Sequence, residues 1–179
     1  SLDRRQRQMC IRDRIEIDNN EDHIEFNVNR SLISVLIETG LWNSFRTRPF
    51  NRTPSIDSLP HAIFVNCCDT NPLSVDPYLI IDVDQDYFDI GLNAITKEFD
   101  CNIYVSYQTN NFERTNSDVI YNQFSGPHPA GLSGTHISKL SPVNLNKVVW
   151  TINYQDIISI GYLIKNKTLR TSKIISLGG

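Results

Sequence analysis

The sequence has no long apolar run and few cysteines, and each scarcity excludes a class of protein. The longest apolar runs, such as "ISVLI" and "VVWTI", hold about five residues, whereas a membrane-spanning helix needs roughly 20. Cys67 and Cys68 are neighbours among the four cysteines, and no stretch resembles a secretory signal. We therefore expect a soluble protein with reduced thiols, as in the cytosol, in which Cys67, Cys68 and Cys101 are small buried side chains.

A basic stripe is also missing outside the N-terminus, which argues against a nucleic-acid partner. Four arginines and one aspartate fall between Arg4 and Asp13. Read as codons, this segment resembles a transposase adaptor used to prepare sequencing libraries, so we predict that residues 1–14 are an artefact and that the natural start lies upstream. Without the segment's net charge of +3, the formal charge of −3 becomes −6, which leaves a mildly acidic domain.

Motifs that carry common chemistries are missing as well. The sequence has no C-x-x-C, H-E-x-x-H or H-x-x-E-H spacing, so we expect no zinc or iron–sulfur site. Ser133 in "GLSGT" only superficially resembles the nucleophile elbow G-x-S-x-G. The carboxylate-rich "DVDQDYFD" lacks the glycine and terminal glutamate of a calcium-binding loop, which favours a solvated helix start.

What the sequence does contain is an alternation of strand and helix patterns. Three short apolar runs, "AIFVNC", "NIYVSY" and "VVWTI", predict strands that are buried on both faces. Helices are predicted from Ser31 to Gly40, from Gln85 to Phe99, within Ala130–Leu140 and after an Asn153 cap. The order predicts an α/β fold, with a Rossmann-like, mainly parallel sheet flanked by helices.

The two ends of the chain carry patterns of another kind. Apolar residues alternate in "IEID" and "HIEFNV", which predicts two short strands within residues 15–30 that complete a domain begun upstream. Near the other end, "KIIS" is a further strand candidate. Between the first predicted helix and the first buried strand, "RTRPFNRTPSIDSLP" has the composition of a loop.

Nucleotide binding by the first βα turn is disfavoured. A dinucleotide-binding Rossmann domain places G-x-G-x-x-G there, because only glycine lets the backbone approach the pyrophosphate. In this chain the turn reads "NCCDTNPLS" and has no glycine.

The stretch "FSGPHPAGLSGTHI", from Phe124 to Ile137, packs three glycines, two prolines and two histidines into fourteen residues. The interpretations are an anion site at a helix start, a metal site, or a turn; the absence of the lysine of a phosphate-binding loop and the eight-residue spacing of the histidines weaken the first two. The candidate residues are Gly126, His128, Gly131, Gly134 and His136.

Arg46 and Arg48 are the other candidates. They are interpreted either as solvated loop charges or, with Trp42 and Pro49 beside them, as a docking surface for an acidic partner or a lipid headgroup.

Five segments together resemble a known family, namely "GLWNSFRTRPF", "AIFVNCCDTNPLSVDP", "FSGPHPAGLSGTHI", "VVWTINYQDIISIG" and the closing "ISLGG". They are similar to the A subunit of the sodium-translocating NADH:quinone reductase, which is related to the C subunit of the Rnf complex and to the NADH-binding flavoprotein of complex I. The resemblance implies three domains: the tail of a barrel-like biotinyl or lipoyl domain in residues 15–30, a Rossmann-like domain in residues 31–168, and the start of a β-grasp domain in residues 169–179.

The resemblance also implies a role. The parent complex oxidises NADH, reduces ubiquinone and exports Na⁺, using NADH, FAD, FMN, an iron–sulfur centre and quinone. The A subunit is expected to be peripheral, on the cytoplasmic face of the bacterial inner membrane, in contact with the other subunits and especially with the membrane-embedded B subunit. We expect this domain to be a scaffold with no catalytic residue, cofactor or metal of its own. The alternative is a redox domain that binds ubiquinone or a residual nucleotide directly. A quinone headgroup favours an apolar slot with a few donors, for which His128 and the backbone N–H groups of Phe124 to Ile137 are candidates.

Overall fold

A mixed five-stranded sheet forms the centre of the domain in the computed structural model, which describes residues 31–110, 112–144 and 147–176. Its order is β1-β5-β2-β3-β4. Strand β1 is antiparallel to β5, and the other neighbours are parallel. The strands are β1 (Arg46–Arg48), β2 (Ala62–Cys67), β3 (Asn102–Tyr107), β4 (Val119–Gln123) and β5 (Val149–Asn153). The predicted α/β class with a mainly parallel sheet is confirmed.

Five α-helices and one 3-10 helix accompany the sheet in the described part of the chain. They are α1 (Leu32–Glu38), the 3-10 helix Leu41–Ser44, α2 (Pro77–Val83), α3 (Gln85–Glu98), α4 (Ser133–Leu140) and α5 (Tyr154–Asn166). Helices α2 and α3 connect the parallel strands β2 and β3, and α5 follows β5. Among the described helices, no candidate for a membrane-spanning segment is found.

The two faces of the sheet are covered by different helices, because side chains alternate along a strand. On β2, Ile63 and Val65 belong to the large core that includes residues of α1, α2, α3 and α5. Ala62 and Phe64 point the other way and join a smaller core with Ile137 of α4. Both faces are therefore buried, as the unbroken apolar run of β2 predicts.

Aromatic side chains fill the large core near the β1–β5 edge. Trp42, Phe45, Phe99 and Trp150 are each in ring contact, with centroids 5.4 to 6.5 Å apart. Trp42 is 5% exposed and Trp150 is fully buried. The indole Nε1 of Trp42 donates to the carbonyl oxygen of Pro54 at 3.0 Å, which ties the loop after β1 to this core.

The three predicted buried strands and the helices that begin near Leu32, Gln85, Ser133 and Tyr154 are confirmed. Gly40, at φ 75°, follows the C-terminal turn of α1. Asn153 caps α5, since its side chain accepts a hydrogen bond from the backbone N–H of Gln155 at 2.9 Å.

Other parts of the prediction were wrong. Arg46–Arg48, predicted as loop, pairs with β5 at the sheet edge. Helix α2 and edge strand β4 were not predicted, because α2 is only seven residues long and "VIYNQ" is half polar. Residues 173–176 form no strand; the N–H and C=O of Ile174 instead bond to the side-chain amide of Gln155, each at 2.9 Å.

The predicted strands within residues 15–30 lie outside the described residues, as does the closing segment 177–179. The predicted boundaries at residues 14, 30 and 168 stay predictions.

Candidate functional site

The sheet has a topological switch point between β2 and β5. From β2 the chain crosses to β3 on one side, while β5 lies on the other side of β2. In open α/β sheets, ligands bind outside the carboxyl ends of the strands at such a point, because the loops diverge there and leave a crevice.

A crevice of about 380 Å³ is present at this place. Asn66 near the end of β2 and Asn153 at the end of β5 face it from the sheet. Its lining is almost entirely polar, and the full set is Asn43, Ser44, Arg46, Asn66, Ser133, Thr151, Ile152, Asn153, Asp156 and Lys173. The crevice is therefore suited to a polar ligand rather than to a large apolar ring.

Most polar groups of the crevice are already bonded to the protein. Asn66 donates from Nδ2 to the carbonyl oxygen of Gly131 at 3.0 Å and accepts at Oδ1 from the N–H of Cys68 at 3.0 Å. Asp156 is 8% exposed and forms an ion pair with Lys173. Arg46 donates to Thr53 Oγ1 at 3.0 Å. These contacts serve the fold first and leave few donors for a ligand.

The first βα turn carries acidic side chains where a nucleotide-binding domain carries glycines. Asp69 accepts from the backbone N–H of Asn71 at 2.9 Å, and Asp76 accepts from the N–H of Tyr78 at 3.0 Å at the start of α2. Both carboxylates line a second cavity of about 370 Å³ beside this turn. Two backbone N–H groups at this turn, the kind of donor that binds pyrophosphate in dinucleotide-binding domains, are thus paired here with the protein's own carboxylates.

The glycine-rich stretch packs against this same turn. Thr70 Oγ1 lies 3.2 Å from Nδ1 of His128 and accepts from the backbone N–H of Gly131 at 3.1 Å. A Cβ on Gly131 would lie 2.7 Å from the backbone nitrogen of Thr70, so the close approach requires glycine. Gly126 has φ +134°, while Gly134 lies in α4 with no atom near its missing side chain.

His136 is fully buried, and its side chain stabilises the turn through contacts within the protein. Its Nε2 lies 2.8 Å from the carbonyl oxygen of Ala130, to which it donates, and its ring lies against Phe124 with centroids 4.1 Å apart. Its Nδ1 has no hydrogen-bond partner in the described part of the chain. Burial lowers the pKa of His136, so the ring is neutral and structural rather than exposed to a ligand.

The predicted candidates therefore separate into three places. His128 and Gly131 meet at Thr70, Arg46 lines the crevice, and Arg48 lies two residues further along β1. Sequence reasoning missed Asn66, Asn153 and Asp156. The available signal was that two of the buried apolar runs are followed directly by asparagine, "AIFVN" and "VVWTIN", at the ends of strands that the predicted sheet places in parallel.

The three cysteines in the described part of the chain offer no reactive site. Cys67 and Cys68 are buried, and Cys101 is half-buried. Burial raises the pKa of the Cys67 thiol, that of Cys68 to about 12 and that of Cys101 to about 11. Among the described residues, no three histidine, cysteine, aspartate or glutamate side chains are grouped to hold a metal ion.

A mainly parallel sheet flanked by helices, with a crevice at its switch point, defines a Rossmann-like α/β domain. Comparison with known proteins then identifies the family. The model described as "NqrA second alpha/beta domain" matches residues 28–169. The chain therefore belongs to this family, as its resemblance to the A subunit of the sodium-translocating NADH:quinone reductase indicates.

Individual relatives support the same family assignment. The chain is 47% identical over 151 residues to the A subunit of Na(+)-translocating NADH-quinone reductase from Rhodopirellula baltica, covering 83% of this chain and 33% of that protein. It is 48% identical over 146 residues to the A subunit from Klebsiella pneumoniae and 45% identical over 146 residues to that from Photorhabdus laumondii, covering in each case 80% of this chain and 33% of the relative. The chain thus spans about a third of the length of these relatives.

Proposed function

We propose that this domain is a scaffold within the A subunit of a sodium-translocating NADH:quinone reductase, a respiratory complex that oxidises NADH, reduces ubiquinone and exports Na⁺. Its position on the cytoplasmic face of the bacterial inner membrane, against the membrane-embedded B subunit, is part of the proposal and is what the family resemblance implies. The observation that supports the scaffold function is that the first βα turn holds carboxylates where a nucleotide-binding domain has glycines.

That turn disfavours a phosphate electrostatically. The positive end of a helix dipole attracts anions, but at α2 this place is taken by Asp76, which accepts from the N–H of Tyr78. Asp69 adds a second carboxylate to the same cavity. A pyrophosphate there would have to displace one carboxylate and would be repelled by both. The redox cofactors NADH, FAD, FMN and the iron–sulfur centre are accordingly assigned to other parts of the complex.

The alternative, direct binding of ubiquinone, receives less support. A quinone headgroup favours an apolar slot with a few donors, whereas Ile152 is the one apolar side chain lining the crevice. Of the candidate histidines, His136 is fully buried and already bonded to Ala130. His128, the candidate headgroup donor, is exposed and has its Nδ1 3.2 Å from Thr70 Oγ1.

Two measurements test the proposal. First, the full-length protein is produced from an intact reading frame, and calorimetric titrations are made with NADH, FMN and a short-chain ubiquinone. We expect no saturable heat, with the complete reductase as the positive control for NADH. Saturable binding that weakens on substitution at the first βα turn or in the crevice contradicts the scaffold function.

Second, the affinity-tagged full-length protein is purified from detergent-solubilised membranes. We expect Na⁺-stimulated NADH:quinone reductase activity to co-purify with it. A tagged protein that folds but brings no reductase activity contradicts membership of the complex.

A further inference from the structure

The residues between β1 and β2 form a loop with an unusual surface. We call strand β1 together with the loop that follows it, residues 46–60, the arginine loop, since this segment contains Arg46, Arg48 and Arg52 and no lysine. Phe50 lies 68% exposed in the turn between Arg48 and Arg52. Ile56 and Leu59, further along the loop, are 55% and 83% exposed. Leu73 and Val83 are as exposed elsewhere in the chain, so what distinguishes this surface is the combination of an exposed aromatic ring with arginines, the residue types enriched at protein interfaces.

The turn that carries Phe50 is held in one shape by Thr47. The N–H of Thr47 donates to the carbonyl oxygen of Arg52 at 2.7 Å, and the N–H of Asn51 donates to the carbonyl oxygen of Thr47 at 2.7 Å. Thr47 Oγ1 adds two bonds to the backbone of Arg52, at 3.0 and 3.2 Å. The side chain of Phe50 is thereby presented on a backbone that is already ordered, which reduces the entropy lost on binding.

The base of the arginine loop is anchored to the domain as well. Trp42, itself part of the aromatic core, donates to Pro54 at 3.0 Å, and Arg46 donates to Thr53 at 3.0 Å. Pro54 and Pro60 are buried. The Phe50 ring is largely exposed on this anchored loop and therefore contributes little to the core of the described domain.

The charges of the loop have no counterpart within the described part of the chain. None of the three guanidinium groups forms an ion pair there, and Nε of Arg48 is buried without a hydrogen-bond partner. Asp57 is the one acidic residue among residues 46–60. In a domain of net negative charge, this local excess of positive charge selects for an anionic partner.

We propose that the arginine loop docks into an apolar pocket rimmed by carboxylates on another protein, with Phe50 as the central anchor and the arginines pairing with the rim. Arginine in place of lysine favours carboxylate partners, because its planar fork binds them bidentately. A fluid lipid surface attracts either cation and gains nothing from the fixed geometry of the turn, so the protein partner is preferred. This inference rests on the proposed scaffold function, since the partner is then another subunit of the complex.

Crosslinking in the assembled complex tests it directly. The full-length tagged protein carries Phe50→p-benzoylphenylalanine, and the purified complex is irradiated and its crosslinked peptides are identified by mass spectrometry. The matched control carries the same substitution at Leu73, which is 76% exposed on a different loop. We expect position 50 to crosslink to an aspartate- or glutamate-containing segment of one other subunit, and position 73 not to reach that segment.

Each remaining outcome overturns the proposal. Position 50 could crosslink only to lipid, only to its own chain, or to nothing, while the tagged protein still co-purifies with the complex. Any of these results means that this surface is not the interface, but none of them contradicts the scaffold function. Failure of the tagged wild-type protein to co-purify with any other subunit overturns both.

Affinity provides a second, independent measurement. Phe50→Ala removes an exposed side chain, so the variant should fold with an unchanged unfolding temperature. We expect Phe50→Ala to weaken binding of the full-length protein to a complex that lacks the A subunit by about 30-fold, as for a typical interface anchor. We expect Arg52→Glu to weaken this binding too, with a larger effect at low salt than at high salt. Leu73→Ser should stay within about twofold of wild type. A Phe50→Ala effect no larger than that of Leu73→Ser overturns the proposal.

Discussion

Gly91 of helix α3 and Gly161 of helix α5 face each other where the two helices cross. A Cβ on Gly161 would lie 1.7 Å from the carbonyl oxygen of Tyr87, and a Cβ on Gly91 would lie 2.2 Å from that of Ile157. Neither distance is possible for real atoms, and both obstacles are backbone. The packing of the two longest described helices therefore depends on the absence of two side chains.

Substituting either glycine should destabilise the domain strongly. We expect Gly161→Ala to lower the free energy of unfolding by about 3 kcal/mol, the upper part of the range for overpacked cores, because the helices must move apart. Urea denaturation followed by circular dichroism measures this. Gly134→Ala is the matched control, since no atom lies within 4 Å of its missing side chain and alanine favours a helix. Equal effects at positions 161 and 134 would contradict the close crossing.

The contact between Gly131 and Thr70 should behave as a coupled pair. Gly131→Ala places a methyl group 2.8 Å from Thr70 Oγ1 and 2.7 Å from its backbone nitrogen, and we expect a loss of about 2 kcal/mol in stability. Thr70→Ala should cost about 1 kcal/mol by removing the hydrogen bond to the N–H of Gly131. The double variant relieves part of the clash and should be more stable than the sum of the two losses. Strict additivity in the double-mutant cycle would argue against this contact.

Burial of His136 should make stability depend on pH. Its folded-state pKa is lowered from 6.5, so below about pH 6.5 the unfolded chain binds a proton that the folded chain does not, and stability falls as the pH decreases. The slope is at most about 1.4 kcal/mol per pH unit. We expect His136→Gln to reduce this slope in urea denaturations made between pH 7.5 and 5.5. A variant with the same slope as wild type would show that His136 does not titrate in this way.

The three described cysteines should be unreactive in the folded protein. With pKa values of about 12 for Cys68 and about 11 for Cys101, at most about 0.1% of either thiol is ionised at pH 8, against roughly a quarter for an ordinary cysteine. A Cys10→Ser variant removes the fourth cysteine of the sequence. We expect its thiols to react with a disulfide reagent at least about 100-fold more slowly when folded than in guanidinium chloride. A fast-reacting thiol in the folded variant would contradict the burial.

The core of the fold was predictable where one physical signal dominated. The runs around Ile63, Val105 and Trp150 are apolar without alternation, which is the pattern of strands buried on both faces, and all three are strands. Asn153 was predictable as a helix cap because its side chain satisfies a backbone donor locally.

Edges and close contacts were not predictable in the same way. Arg46–Arg48 forms a strand only because Val149–Thr151 offers it a partner, and a three-residue polar segment carries no local signal of that pairing. Gly91 and Gly161 look unfavourable within helices, since their purpose appears only when the two helices meet. The crevice likewise depends on strand order, which places Asn66 beside Asn153 although 87 residues separate them in the sequence.

The aromatic core also has a spectroscopic consequence. Trp42 and Trp150 are the only two tryptophans of the sequence, and their rings lie edge to face with centroids 5.5 Å apart. Both indoles are shielded from water, so the intrinsic tryptophan emission of the chain arises from one place, the packed end of β1 and β5. That emission therefore reports the integrity of this core.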